Sequence, residues 1–146
     1  MLVGILRGSL CFLADLSRAV DLPAYVDCLG LRSYTGTEGG QPRVTADLVE
    51  DIAGADVVVV EDIVERGTTL AMALAVLRGM RPGSLAVCAL LRKPSAASVP
   101  IPELRYTGFE IADEFVVGYG LDFNGRYRNL PAIRVLDPSE DAASAG

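Results

Sequence analysis

Glu61 and Asp62 stand side by side directly after four valines, in the run VVVVEDIVERGTTLA from Val57 to Ala71. Two adjacent like charges at the end of an apolar strand repel each other and resist burial. Such a pair makes sense where a ligand needs acceptors. Ionised carboxylates only accept hydrogen bonds, so the vicinal hydroxyls of a sugar are natural donors, and a metal ion could share the load. Next comes Glu65-Arg66-Gly67-Thr68-Thr69, leading into an apolar, helix-like run. A loop of this kind turns backbone N–H groups inward at the positive end of a helix dipole, which makes an anion site suited to phosphate. Gly67 permits close approach, and Thr68 and Thr69 add hydroxyl donors. Phosphate beside a diol is a ribose 5-phosphate. By spacing alone, the same residues also fit a strand end with solvated acids and an ordinary helix cap.

Other chemistries drop out by composition. The chain has no histidine, which removes Ser–His–Asp and Cys–His catalysis and His-based zinc sites. Cys11, Cys28 and Cys88 are odd in number and lie within apolar segments, as reduced core residues do. A net charge of −6 with dispersed Lys and Arg argues against a nucleic-acid partner. No apolar run approaches the roughly 20 residues of a membrane helix. The opening MLVGILRGSLCFLADL is interrupted by Arg7 and Asp15 and has no basic leader, so a cytoplasmic protein without a membrane partner is expected.

The elements that must position these residues follow from apolar periodicity. At 146 residues, 51% of them hydrophobic, the chain suits one folded domain over 1–136, with the polar tail 137–146 disordered. Leu2–Leu6 reads as a buried strand and Ser9–Val20 as a helix with Ser9 as its N-cap. Ala24–Tyr34 is a second strand, TGTEGGQP a mobile loop, and Arg43–Leu48 a returning strand. Val57–Val60 shows no alternation, so it is expected to be buried on both faces of a parallel sheet. Thr69–Met80 reads as a helix, Leu85–Leu91 as a strand, and Arg105–Phe109 and Ile133–Leu136 as shorter strands. The fold class expected is α/β, a mainly parallel twisted sheet flanked by helices, with ligands beyond the carboxyl ends of its strands.

VVVVEDIVERGTTLA resembles the 5-phosphoribosyl-1-pyrophosphate (PRPP) motif of type I phosphoribosyltransferases. LRGSLCFLADL, the strand ending in Ser33-Tyr34, LLRKP and GFEIADEFVVGYGLDFNGRYRNLP resemble the hypoxanthine-guanine members, over nearly the whole chain. The resemblance implies a small hood region and a mobile active-site loop on the sheet. It implies transfer of the phosphoribosyl group of PRPP to N9 of a 6-oxopurine (hypoxanthine, guanine or xanthine) with Mg2+, releasing pyrophosphate, in a homodimer or homotetramer. Glu61 and Asp62 would take the ribose 2- and 3-hydroxyls and act on the metal indirectly. Glu65, Arg66, Gly67, Thr68 and Thr69 would hold the 5-phosphate, with Glu65 also the acid near purine N7. Lys93 matches the donor to the 6-oxo group, and Phe115 the ring that stacks on the base. Val116 would offer backbone groups to the purine edge. Asp122 matches a carboxylate beside the purine, Mg2+ and pyrophosphate. Arg7, Gly8 and Arg128 match pyrophosphate contacts, and Ser33 and Tyr34 begin the loop that closes over the reaction. Without the resemblance, Lys93 would be a solvated lysine after a strand and Phe115 a core residue.

The chain departs from the family pattern in three places. Glu65-Arg66-Gly67 replaces Asp, Ser or Thr, and Gly, which lengthens the acid by one methylene and trades a small hydroxyl for a cation. Arg7 stands where the family has Lys, keeping the charge but changing donor geometry. Met1 falls within the first strand, where the family has a preceding helix, so exposed apolar surface is expected on the sheet or the Ser9–Val20 helix. Two other functions stand beside transfer to a 6-oxopurine: a transferase with a changed acceptor such as a 7-deazapurine, which the altered loop motivates, and a ligand-sensing or RNA-binding regulator on the same scaffold.

Overall fold

The computed structural model describes residues 1–32, 43–94 and 99–136. β1 (Leu2–Leu6) lies inside a six-stranded sheet. From it the chain runs through α1 (Leu10–Ala19) to β2 (Val26–Arg32), and β3 (Arg43–Ala46) lies antiparallel at that edge. The chain then crosses to the other side of β1 for β4 (Asp56–Val64), α2 (Thr68–Gly79), β5 (Ser84–Arg92) and β6 (Leu104–Glu110). The order is β3-β2-β1-β4-β5-β6, with every pair but β2–β3 parallel. Winding reverses between β1 and β4, and a sheet of this type opens its ligand crevice at that point, beyond the strands' carboxyl ends. A two-stranded antiparallel sheet, β7 (Val116–Val117) with β8 (Arg134–Val135), follows. The expected α/β class with a mainly parallel sheet holds.

The valine run explains the stiffness beneath the site. Val57 and Val59 join Leu70, Ala73, Leu74 and Leu77 of α2 in one cluster. Val60 joins Leu2 and Leu13 of α1 in the other, with Val58 at its margin. Successive strand side chains point to opposite faces, so the two helices cover opposite sides of β4, with Val57, Val59 and Val60 buried and Val58 partly so. Full burial of a valine side chain contributes about 1.5–3 kcal/mol, and Val57, Val59 and Val60 so anchor the strand that carries the acids.

Several boundaries differ from expectation. β4 runs on to Val64, because β5 stays in register as far as Val64 with Arg92, so Glu61 and Asp62 lie within the strand. β2 begins at Val26, and β3 ends at Ala46. Beyond β3 the chain is turned onto Asp27, whose carboxylate accepts the N–H groups of Val49 at 2.7 Å and Glu50 at 2.9 Å. β6 spans Leu104–Glu110, and β8 keeps only Arg134–Val135. α2 starts at Thr68, with Gly67 at its N-cap. Ser9 does precede α1, but its hydroxyl donates to the Ile5 carbonyl at 2.7 Å and makes no cap bond. Exposed apolar side chains include Leu10 on α1 and Tyr106 and Phe109 on β6. The TGTEGGQP loop, Ser33, Tyr34 and the tail 137–146 lie outside the described residues.

Candidate active site

β1 and β4 pair from Leu2–Val58 to Gly4–Val60. Past that point Arg7-Gly8 and Glu61-Asp62 face each other across the crevice, and the Leu6–Arg7 peptide bond is cis. Gly8 has no room for a side chain: a Cβ there would lie 1.7 Å from Asp62 Oδ2. Gly120 presses on Gly8 in turn, since its own Cβ would lie 2.0 Å from the Gly8 carbonyl oxygen. The Arg7-Gly8 turn thus meets the Asp62 carboxylate and the backbone of the hood segment, residues 115–135 around the β7–β8 sheet.

The two acids are nearly buried, with Glu61 8% and Asp62 9% exposed. Asp62 Oδ1 accepts the Ile63 N–H at 2.9 Å, whereas Glu61 Oε2 is buried without a donor. Burial, then the neighbouring charge of Asp62 and a hydrogen bond with it, pushes the Glu61 carboxyl well above the usual carboxylate range. An arriving pair of hydroxyl donors, or a cation, would supply what burial has removed. Residues from Glu61 to Leu70 line a pocket of about 310 Å3, near the lower bound for small-molecule sites.

In this pocket Gly67, the N-cap of α2, adopts φ +74 and brings no side chain of its own to cap the helix. Apart from Ala71, whose N–H reaches the Gly67 carbonyl, the first-turn donors have no partner within the helix. Thr68 and Thr69 are exposed beside them, and no acid occupies the first turn. An open helix N-terminus of this kind favours an anion.

Lys93 is 7% exposed, so it is not a solvated lysine. Its ammonium pairs with the Glu65 carboxylate and lies 3.8 Å from Asp113 Oδ1, while its N–H donates to the Val64 carbonyl at 2.9 Å. Phe115 is half-exposed rather than core, and it meets Phe123 edge-to-face at 5.4 Å. The Leu136 N–H donates to the Phe115 carbonyl at 2.8 Å. By the alternation of an antiparallel ladder, the backbone groups of Val116 then face away from β8. Asp122 Oδ1 pairs with Arg128 Nη2 at 2.6 Å, and its Oδ2 accepts the Gly125 N–H at 2.8 Å. Arg128 Nη1 also donates to the Gly120 carbonyl at 2.6 Å.

The phosphoribosyl transferase domain family matches residues 1–124. The chain belongs to the phosphoribosyltransferase family. It is 47% identical to the hypoxanthine phosphoribosyltransferase of Salmonella typhimurium over 135 residues, covering 91% of this chain and 75% of that protein. The hypoxanthine-guanine phosphoribosyltransferase of Mycobacterium avium is 44% identical over 140 residues, 94% of this chain and 68% of that protein. A variant of the Trypanosoma cruzi hypoxanthine phosphoribosyltransferase, solved with its product IMP, superposes with a TM-score of 0.88 at 36% identity, covering 99% of this chain and 75% of that one.

In this phosphoribosyltransferase Arg7, Gly8, Glu61, Asp62, Glu65–Thr69 and Lys93 gather at the carboxyl end of the sheet. Phe115, Val116, Asp122 and Arg128 belong to the hood segment, which reaches the crevice through the Gly120–Gly8 contact. Ser33 and Tyr34 fall outside the described residues. Asp122 and Arg128 are bonded to each other rather than open to a ligand. No cluster of three metal-ligating side chains exists among the described residues. The oxygen-only pair Glu61–Asp62, with Glu61 Oε2 lacking a donor, suits a hard cation such as Mg2+ that takes its other oxygens from the ligand. Asp122 suits it less, since both its oxygens already accept protein donors. Sequence reasoning missed Gly120, the Glu65–Lys93 pair and the bond from the Tyr119 hydroxyl to Asp15, which ties the hood to α1. Only the glycines flanking Tyr119 hint at a close approach.

Proposed function

We propose that the protein transfers the 5-phosphoribosyl group of PRPP to N9 of hypoxanthine or guanine, a purine-salvage reaction. The observation that carries this reading is one pocket shared by two buried acids and the glycine-capped, acid-free N-terminus of α2. Glu61 and Asp62 take the ribose hydroxyls, and the negative charge of the pair stabilises the cation that develops at the anomeric carbon. Backbone N–H groups of Glu65–Thr69 and the two threonine hydroxyls hold the 5-phosphate, with Arg66 at the rim. Arg7, and Arg128 once it releases Asp122, meet the charge of the pyrophosphate. Mg2+, when bound, offsets part of that charge as pyrophosphate departs.

The Glu65–Lys93 pair gives the base its reading. Lys93 donates to O6 and Glu65 accepts from N7–H, so the two groups select the tautomer whose N9 carries a free electron pair. As N9 bonds the anomeric carbon and pyrophosphate leaves, the N7 proton passes to Glu65. Adenine would set an amino donor against the Lys93 donors and is rejected. Phe115 stacks on the ring, Val116 supplies backbone groups to its edge, and placement rather than covalent chemistry supplies the acceleration.

A 7-deazapurine has no N7–H for Glu65, which disfavours the changed-acceptor reading, and the net charge of −6 disfavours an RNA-binding regulator. Nucleotide formation with PRPP, Mg2+ and each of hypoxanthine, guanine, xanthine, adenine and a 7-deazapurine tests all three. Turnover with hypoxanthine or guanine is expected; its absence overturns the reading. We propose a cytoplasmic homo-oligomer as the working form; the exposed apolar residues of β6 support the association.

A further inference from the structure

Glu65 and Arg66 are exposed, so the phosphate loop has no core of its own to fix its peptide planes. It is fixed from outside, by the chain that leaves β5. The Lys93 N–H donates to the Val64 carbonyl at 2.9 Å, and the Val99 N–H donates to the Arg66 carbonyl at 2.8 Å. Each carbonyl shares a peptide unit with the next residue's N–H. In a trans unit that N–H points the opposite way from the carbonyl. Among the described residues the only cis bond is Leu6–Arg7, so both units are trans. Holding the Val64 carbonyl toward Lys93 therefore aims the Glu65 N–H away from it. Holding the Arg66 carbonyl toward Val99 aims the Gly67 N–H away from Val99. These are two of the donors expected to bind phosphate.

The same segment backs the loop sterically. A Cβ on Gly67 would lie 3.1 Å from the Val99 carbonyl oxygen and 3.4 Å from Cγ1 and Cδ1 of Ile101. Ile101 in turn packs on the main core cluster. Gly67 is thus held to a glycine by its left-handed φ and by the segment behind it, as well as by any ligand in front.

We infer that Val99 and Ile101 are positioning residues for the 5-phosphate site, aiming loop N–H groups without touching the ligand. The inference rests on the proposed function. One neutral hydrogen bond contributes about 1 kcal/mol, and tenfold in affinity corresponds to 1.4 kcal/mol, so its loss should weaken phosphate binding roughly 5- to 10-fold.

Val99→Pro deletes the N–H, and Val99 already precedes Pro100, where extended backbone is favoured. Val99→Ala keeps the N–H. Calorimetry with ribose 5-phosphate and steady-state kinetics are the readouts. The expected result for Val99→Pro is a roughly 5- to 10-fold rise in Kd for ribose 5-phosphate and in KM for PRPP, with KM for the purine within about twofold of the parent. Val99→Ala should stay within about twofold on all three. A folded Val99→Pro that binds ribose 5-phosphate like the parent, or a Val99→Ala that loses as much, overturns the inference. If Val99→Pro does not fold, Ile101→Ala replaces it: a selective rise in KM for PRPP, rescued by Ile101→Val, supports the inference, and an unchanged KM overturns it. A parent protein that binds no ribose 5-phosphate overturns the functional reading instead.

Discussion

Glu65 stands where the resemblance to the hypoxanthine-guanine phosphoribosyltransferases leads one to expect Asp. One extra methylene moves a carboxylate by about 1 Å, a displacement that can change a rate roughly 100-fold when backbone does not compensate. Here the longer acid reaches Lys93 and pairs with it. Glu65→Asp is expected to leave kcat unchanged or raised, since the shorter acid returns to the family's reach. Glu65→Gln should lower kcat about 100-fold or more by removing the proposed proton acceptor, with KM for PRPP little changed. Steady-state assays across both variants check this, and a complete loss in Glu65→Asp would show a loop rebuilt around the longer side chain. Glu61 makes a separate prediction through linkage. Its carboxyl titrates well above the ordinary value of 4.5, so between the two values the folded chain holds a proton that the unfolded chain has lost. Folding is then opposed increasingly as pH rises through that window. Glu61→Gln removes the opposition. Its melting temperature should match the parent below about pH 4 and exceed it increasingly toward neutral pH, while affinity for ribose 5-phosphate falls. Melting curves from pH 4 to 8 that stay parallel would contradict this.

Elements carry what single residues cannot, and here the sequence speaks unevenly. Val57–Val60 is legible as a strand dry on both sides because every side chain in it is apolar. Its continuation through Glu61 and Asp62 is not legible, because pairing with β5 holds those polar residues in the strand. Ser9 looks like a helix cap, but the Ile5 carbonyl lies within reach and takes its hydroxyl. The acids and the glycine-threonine loop are legible because their chemistry is contiguous. The Glu65–Lys93 pair and the contact of Gly120 with Gly8 join residues far apart in sequence, so only the fold reveals them. That second contact supports a prediction. Gly120 has φ +103, and a Cβ there would strike the Gly8 carbonyl oxygen. Gly120→Ala should destabilise the protein by about 2–3 kcal/mol, from overpacking together with a disfavoured backbone angle. Because the displaced carbonyl belongs to the turn facing Asp62, KM for PRPP should rise as well. Urea unfolding and kinetics on the same preparation test both effects; a stable variant with unchanged KM would show that the hood does not bear on the crevice.

At the scale of the whole molecule, β6 is an edge of the sheet among the described residues. There it pairs with β5 alone, all its residues after Leu104 are exposed, and Tyr106 and Phe109 among them are 59% and 64% exposed. A long edge strand with exposed aromatic residues invites association, which soluble proteins avoid with charge, bulges or a covering surface. Arg105 and Glu110 supply some charge here, and Glu110 is already paired with Arg92. A second copy of the chain is the covering surface proposed. Light scattering behind size exclusion should therefore give at least twice the chain mass of 15.4 kDa at micromolar concentration. Tyr106→Lys combined with Phe109→Lys should shift the protein toward a single chain without unfolding it, because both side chains already face solvent. A parent protein that elutes at one chain mass, with the double variant indistinguishable from it, would mean that β6 tolerates water as it stands.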